Sequence, residues 1–116
     1  MPLRVVLVDD DRRFRAAACR ALEAEGVEVL AEVSSGKDAL ATVEDCYPDA
    51  VLVDVRMPGV DGVEVARRLR GKVGGTVVIL ISTLDVDHGR LLAEGLAAGY
   101  IPKDELSLAA ITELLA

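Results

Sequence analysis

The chain has 116 residues, of which 52% are hydrophobic and 28% are charged. This length suits one domain with a single core, and the composition excludes a disordered chain. The net charge of −7, without a large cluster of Lys and Arg, argues against nucleic-acid binding by this domain itself. No apolar run approaches the roughly 18 residues of a membrane span, so we expect a cytoplasmic domain without membrane contact.

Two local features fit this expectation. Cys19 and Cys46 have no metal-like spacing, which is typical of free thiols in a reduced compartment. The densest basic run, RRFR over 12–15, is predicted to be a solvated face of the first helix.

Five apolar segments are predicted to be β-strands. Three of them are continuous runs rich in Val, Leu and Ile, as in strands buried on both faces. The second alternates small apolar residues with Glu28 and Glu32, which indicates an edge strand with one solvated face. In chain order, the predicted strands span 3–9, 27–33, 50–54, 76–82 and 99–102.

Helical periodicity follows each strand. The first helix, over 11–25, has an apolar face of Phe14, Ala17, Ala18, Ala21 and Leu22. The others are predicted over 38–46, around Val63, Ala66 and Leu69, over 85–95, and around Leu108, Ile111 and Leu115. GKVGG, 71–75, is predicted to be a flexible connector. The result is a (βα)5 α/β fold, with a parallel sheet and helices on both faces.

Polar residues stand where the predicted strands end, which is the edge where parallel sheets bind ligands. Going along the chain, these residues are Asp9, Asp10, Asp11, Asp54, Ser82, Thr83 and Lys103. Two unit charges about 4 Å apart repel by roughly 4 kcal/mol near a protein surface. The clustered acids therefore need a cation. Mg²⁺, or Mn²⁺ in its place, fits because it binds to a few carboxylates and keeps several of its waters.

The mixture of acids, a hydroxyl and an ammonium indicates a phosphoryl-transfer site. The metal and Lys103 would neutralise charge on phosphoryl oxygens, and Ser82 would donate a hydrogen bond. One of the carboxylates would act as the nucleophile.

Four motifs in order resemble the response-regulator receiver domains of bacterial two-component signalling, over essentially the whole chain. They are VLVDDD, VLVDVRMPGVDG, VVILIS and GYIPKD. The resemblance implies a doubly wound sheet in the flavodoxin-like order 2-1-3-4-5 and a single domain over 1–116. The motifs DVRMPG and GY…KD are similar to those of the subfamily with a C-terminal helix-turn-helix DNA-binding domain. That domain would lie outside this chain.

The resemblance also implies roles for individual residues. Asp54 would be the phospho-acceptor, and Asp10 a direct Mg²⁺ ligand. Asp9 would act largely through water, and the backbone carbonyl of Arg56 would complete the protein ligands. Lys103 would pair with the phosphoryl group.

The switch residues follow from the same resemblance. Tyr100 would be the aromatic that changes rotamer, and Ser82 the switch hydroxyl. Counting back from Lys103 places that hydroxyl one residue earlier than Ser82, so a one-residue shortening in the fourth helix region is implied, with Thr83 as the alternative. Asp104 stands where many relatives have a cis proline, and the Lys103–Asp104 geometry is left open.

The implied function is a signalling switch that is not an enzyme beyond its own phosphorylation and dephosphorylation. A sensor histidine kinase would supply the phosphoryl group. The surface of the fourth helix, fifth strand and fifth helix would then change and control homodimerisation or an output domain. The alternative is a haloacid-dehalogenase-like phosphohydrolase, with Asp9 as nucleophile in an Asp-x-Asp pair with Asp11.

Simpler roles remain for several residues. Asp11 is favoured as a helix cap over a metal ligand, because an acid at a helix start accepts from free N–H groups. Asp61 is favoured as a turn residue, and His88 as a surface residue. Tyr100 can also be a half-buried aromatic at the edge of the sheet.

Overall fold

The computed structural model of the chain describes residues 2–69, 75–83, 87 and 94–116. Its strands are β1 (Arg4–Val8), β2 (Glu28–Val33), β3 (Ala50–Asp54), β4 (Val77–Ser82) and β5 (Gly99–Pro102). They form one sheet in the order β2-β1-β3-β4-β5, and every neighbouring pair is parallel. The predicted parallel sheet and its strand order are confirmed.

Four α-helices lie within the described residues. They are α1 (Arg12–Ala24), α2 (Gly36–Cys46), α3 (Gly62–Leu69) and α4 (Leu108–Leu115), and α4 is the fifth helix of the sequence prediction. A short 3-10 turn, Lys103–Glu105, follows β5. The predicted helix over 85–95 falls largely outside the described residues, as do most of the GKVGG connector and all of His88.

The helices cover both faces of the sheet. Because side chains alternate along a strand, β1 sends Val6 and Val8 to one face and Val5 and Leu7 to the other. The first face packs against α2 and α3, and the second packs against α1 and α4. The central strands are buried on both sides, which explains their continuous apolar sequence.

Capping side chains set where the helices start. Asp11 accepts hydrogen bonds from the N–H groups of Arg13 (3.0 Å) and Phe14 (3.2 Å), as predicted for a helix cap. Asp61 accepts from the N–H of Glu64 at 2.9 Å, just before α3. Each cap provides acceptors for N–H groups that have no partner within the helix.

The predicted apolar face of α1 is partly wrong. Ala18 and Leu22 are buried, whereas Ala17 and Ala21 are exposed. Only one narrow stripe of this helix meets the sheet, and small alanines beside that stripe do not reach it. In the sequence, an exposed Ala cannot be distinguished from a buried one.

The prediction of a solvated RRFR run is wrong for Arg15. Its side chain is only 15% exposed, and it donates a hydrogen bond to the backbone carbonyl of Asp9. Its Nε lies 3.8 Å from a carboxylate oxygen of Glu32 on β2. A long arginine can lay its apolar stem along the protein surface while its head reaches a distant polar group.

Within the described residues, no helix has both the length and the apolar character that crossing a membrane requires. Cys19 and Cys46 are free thiols, as expected.

The start of α3 lies against the end of β3. A Cβ added to Gly62 would stand 2.2 Å from the backbone oxygen of Asp54, a distance that cannot be occupied. Glycine therefore lets the third helix begin directly beside the strand end that carries Asp54.

We expect Gly62→Ala to lower the free energy of unfolding by about 3 kcal/mol, because the added methyl forces backbone apart. This loss should appear although Ala is the better helix former. Urea unfolding measures it. Lys37→Ala, at an exposed position of α2, is the control and should stay within about 0.5 kcal/mol of the wild type. A Gly62→Ala protein as stable as that control would contradict the close packing.

Candidate functional site

Three acidic residues meet at the carboxyl edge of the sheet. Asp9 follows β1 and is fully buried, and Asp54 ends β3 with 7% exposure. Asp10 is exposed. Each of the three offers a carboxylate oxygen, and these oxygens lie within 4.8 Å of one another. The structure therefore brings together three of the strand-end carboxylates that the sequence analysis selected.

Asp9 has two different oxygen environments. Its Oδ1 accepts a hydrogen bond from the N–H of Asp11 at 2.9 Å. Its Oδ2 lies 2.6 Å from Nζ of Lys103, and among the described residues no donor meets the angles of a hydrogen bond to this buried oxygen. The distance makes the contact a close ion pair.

Asp54 is held at both of its oxygens. Oδ1 accepts from the N–H of Arg56 at 3.2 Å, and Oδ2 accepts from Nζ of Lys103 at 3.3 Å. Burial and the nearby charge of Asp9 raise the pKa of Asp54, and the contacts with Arg56 and Lys103 only partly offset them. Because its pKa is raised, ionisation of this carboxylate destabilises the folded state. The destabilisation builds up as the pH rises from the ordinary value of 3.8 through the raised pKa and is constant above it.

Lys103 provides the counter-charge. Its side chain is 15% exposed, and Nζ also lies 4.5 Å from the centroid of the Phe14 ring. Burial lowers the pKa of Lys103, but the close ion pair with Asp9 and the charge of Asp54 outweigh it, so the pKa is raised. The ammonium is thus stabilised in its charged form between two buried carboxylates.

The cluster suits a hard divalent cation. Three carboxylates face one ammonium, which leaves two negative charges unbalanced. Mg²⁺ prefers carboxylate oxygens and keeps several waters, so a partly exposed acidic cluster matches its needs.

The two candidate hydroxyls differ in burial. Ser82 ends β4 and is 3% exposed, whereas Thr83 is exposed. On the neighbouring strand, Asp54 pairs with Ile81, so Ser82 is one residue beyond it. The structure therefore places Ser82 inside the edge that carries the acids.

Tyr100 is tied to the same strand end. It is half-buried in β5, and its hydroxyl donates to the backbone carbonyl of Ser82 at 3.1 Å. The side chain of Arg56 is exposed next to Asp54, and the use of its carbonyl as a metal ligand stays a prediction. The Lys103–Asp104 bond, which was left open, is trans.

Two residues at the site were missed by sequence reasoning. Phe14 was assigned to the apolar face of α1 and Arg15 to the solvent, yet they contact Lys103 and the backbone of Asp9. The available signal was their position in the first turn after the acidic run. That turn starts at the same sheet edge, so its side chains can fold back over the strand ends.

The fold and the site define a doubly wound α/β domain with a cluster of three carboxylates at the carboxyl edge of its sheet, two of which contact a lysine. The family model for the response regulator receiver domain matches residues 5–115. The chain belongs to this family and is a receiver domain of a two-component response regulator. The resemblance seen in the four motifs is confirmed.

Two relatives and one solved structure illustrate this kinship. The response regulator MprA of Mycolicibacterium vanbaalenii is 39% identical over 100% of this chain and 48% of its own length. A protein-glutamate methylesterase/protein-glutamine glutaminase of Nitrobacter winogradskyi is 38% identical over 90% of this chain and 25% of its own length. The signal receiver domain of a NarL response regulator from Mycobacterium tuberculosis superimposes with a TM-score of 0.88 at 36% identity, covering 99% of this chain and 98% of that one.

The chain spans about half or less of the length of these two relatives. Any activity that these relatives have outside their receiver domains therefore belongs to segments that do not align with this chain.

We expect Lys103→Met, at neutral pH and with chelator present, to lower the free energy of unfolding by about 3 kcal/mol. The substitution leaves the buried carboxylates of Asp9 and Asp54 facing each other without a cation. Urea unfolding measures the loss, and Lys37→Met, at an exposed position, should change little.

The pH dependence gives a second check on this ion pair. A raised lysine pKa means that the folded state binds the proton more tightly than the unfolded state does. The contribution is complete below the ordinary lysine value of 10.5 and is lost as the pH rises through the raised value. On the alkaline side, the gap in free energy of unfolding between the wild type and Lys103→Met should therefore narrow as the pH rises through the raised lysine pKa. A gap that stays constant there would contradict a charge-based role.

Proposed function

We propose that this receiver is a phosphorylation-operated switch in which Asp54 accepts a phosphoryl group from a sensor histidine kinase. One observation carries the proposal. The carboxylate of Asp54, at the end of a central strand, has acidic neighbours suited to a cation on one side and Nζ of Lys103 at 3.3 Å on the other. A nucleophile between two sources of positive charge is what phosphoryl transfer requires.

The transfer is a single displacement at phosphorus. An oxygen of the Asp54 carboxylate attacks the phosphorus of a kinase phosphohistidine and forms a new P–O bond. The P–N bond breaks, its electron pair goes to the imidazole nitrogen, and that nitrogen takes up a proton. The N–H of Arg56, which holds Oδ1 at 3.2 Å, fixes the orientation of the nucleophile.

The acidic cluster would hold the divalent cation. Asp10, Asp54 and the carbonyl of Arg56 would be ligands of Mg²⁺ or Mn²⁺, with Asp9 acting mainly through water. When bound, the cation supplies neutralising charge to the phosphoryl oxygens. Lys103 would contact a further phosphoryl oxygen, since its ammonium already touches Oδ2 of Asp54.

Ser82 is the proposed switch hydroxyl, because it is buried at the strand end beside Asp54 while Thr83 is exposed. Tyr100 is hydrogen-bonded to the backbone of Ser82, so a shift of this strand end toward the phosphoryl group would alter the support of the ring. This link couples the site to the far side of β5.

The output face would be formed by the predicted 85–95 helix, β5 and α4. A groove of about 420 Å³ lies between β5 and α4, with Tyr100, Leu114 and Glu113 in its lining. We propose that rearrangement of Tyr100 changes this face and thereby controls homodimerisation or contact with an output domain.

The nature of the output rests on the motifs. The two relatives carry different activities by name, a response regulator and a protein-glutamate methylesterase. The DVRMPG and GY…KD wording favours a DNA-binding output that regulates transcription, outside this single-domain chain. The domain itself would be cytoplasmic, would not bind nucleic acid, and would catalyse only its own phosphorylation and dephosphorylation.

We expect acetyl phosphate or phosphoramidate with Mg²⁺ to add one phosphoryl group to the wild type, as seen by intact-mass spectrometry. Asp54→Asn should remove the adduct completely, because the amide lacks the attacking carboxylate. Asp9→Asn should keep an adduct that forms more slowly. Omitting Mg²⁺ should slow formation in every variant that reacts.

The same variants separate this proposal from the phosphohydrolase alternative. That alternative requires Asp9 as nucleophile, so its adduct would survive in Asp54→Asn and vanish in Asp9→Asn. The fully buried Asp9 carboxylate, next to Lys103 and hydrogen-bonded to Asp11, does not favour it. The reversed pattern of adducts would falsify the proposal.

A further inference from the structure

A ring lies against the ammonium of the site lysine. Nζ of Lys103 is 4.5 Å from the centroid of Phe14, which is the single phenylalanine of the sequence. Phe14 lies in the first turn of α1 and is half-buried. An ammonium within about 6 Å of an aromatic face is attracted by the ring quadrupole, and more strongly where water is excluded.

The position of this ring is tied to the acidic cluster. The N–H of Phe14 donates to the Asp11 carboxylate at 3.2 Å, and the N–H of Asp11 donates to Oδ1 of Asp9 at 2.9 Å. These two hydrogen bonds connect the backbone of Phe14, from which the ring projects, to the strand end that carries Asp9. The contact with Lys103 is therefore part of the framework of the site.

The groups that contact the ammonium differ in whether they can also bind a metal ion. Oδ2 of Asp9 lies 2.6 Å from Nζ and Oδ2 of Asp54 lies 3.3 Å away. Both carboxylates belong to the cluster that suits a divalent cation, so a bound cation would compete with Lys103 for their negative charge. The face of Phe14 is no ligand for a hard cation, and its attraction for the ammonium does not depend on those oxygens.

We propose that Phe14 is a positioning residue, whose ring face keeps the ammonium of Lys103 at the phosphoryl site when the carboxylates are engaged elsewhere. This inference rests on the proposed function of Asp54. It assigns to the first turn of α1 a part in binding the phosphodonor, through Lys103 and without contact to the donor.

The test compares Phe14→Leu with Phe14→Tyr. Leucine keeps an apolar side chain but has no ring, while tyrosine keeps the ring. With phosphoramidate, an oxygen of Asp54 attacks phosphorus, the P–N bond breaks, and the nitrogen leaves as ammonia after taking a proton. Rates over a range of donor concentrations, followed by intact mass with Mg²⁺ present, give KM and the maximal rate separately.

We expect Phe14→Leu to raise KM about fivefold and to change the maximal rate by less than about twofold. Fivefold corresponds to about 1 kcal/mol, the size of one cation–π contact. Phe14→Tyr should restore KM to within about twofold of the wild type. An unchanged KM in Phe14→Leu, or a Phe14→Tyr protein as impaired as Phe14→Leu, overturns the inference.

A control separates positioning from packing. Leu30 is half-buried against the opposite core cluster, so Leu30→Ala loses packing far from Lys103. Urea unfolding of both variants shows the stability that each has lost, and Leu30→Ala should keep the wild-type KM. A KM that rises equally in Leu30→Ala would attribute the effect to stability and overturn the inference.

A spectroscopic measurement tests the contact without metal or donor. In the metal-free wild type, the ring current should shift the ε-methylene proton resonances of Lys103 upfield. The shift should persist in Phe14→Tyr and disappear in Phe14→Leu, and its absence from the wild type counts against the contact. A wild type that forms no Asp54 adduct would instead overturn the proposed function.

Discussion

The contact of one ammonium with two buried carboxylates is the constraint on which the rest of the site depends. Asp9 and Asp54 end two neighbouring strands, and both are removed from water. Without Lys103 their charges would repel each other in a region of low dielectric. The turn after β5 must therefore lie at the same edge as the ends of β1 and β3, and the parallel order β2-β1-β3-β4-β5 places it there.

The same arrangement leaves the opposite charges of the site unequal in number. One lysine cannot balance three carboxylates, so a negative excess remains for a cation, and a phosphoryl group would then redistribute the charge. Ser82 lies at the same sheet edge as these charges, and the hydroxyl of Tyr100 donates a hydrogen bond of 3.1 Å to its backbone carbonyl. Because β4 and β5 are adjacent strands, a change at Asp54 would have a short route to the face formed with α4.

Local chemistry explains which predictions could be made from the sequence. Asp11 follows an apolar run and precedes a helical pattern, and a carboxylate there finds free N–H groups whatever the rest of the fold does. The continuous apolar runs of β1, β3 and β4 likewise identify buried strands. Ala17 and Ala21 were misplaced because the width of the buried stripe depends on how α1 lies on the sheet, which periodicity does not specify.

By itself, the sequence determined the order of the elements, the parallel sheet and the residues that gather at its carboxyl edge. It could do so because strand ends and helix starts are indicated by residues that are close together in the sequence. Only the tertiary structure decided which groups touch: Lys103 with Asp9 at 2.6 Å, Phe14 with Lys103, and Arg15 with the backbone of Asp9. These contacts join segments distant in sequence, or turn a helix side chain back over a strand end, and they depend on how the packed elements are oriented.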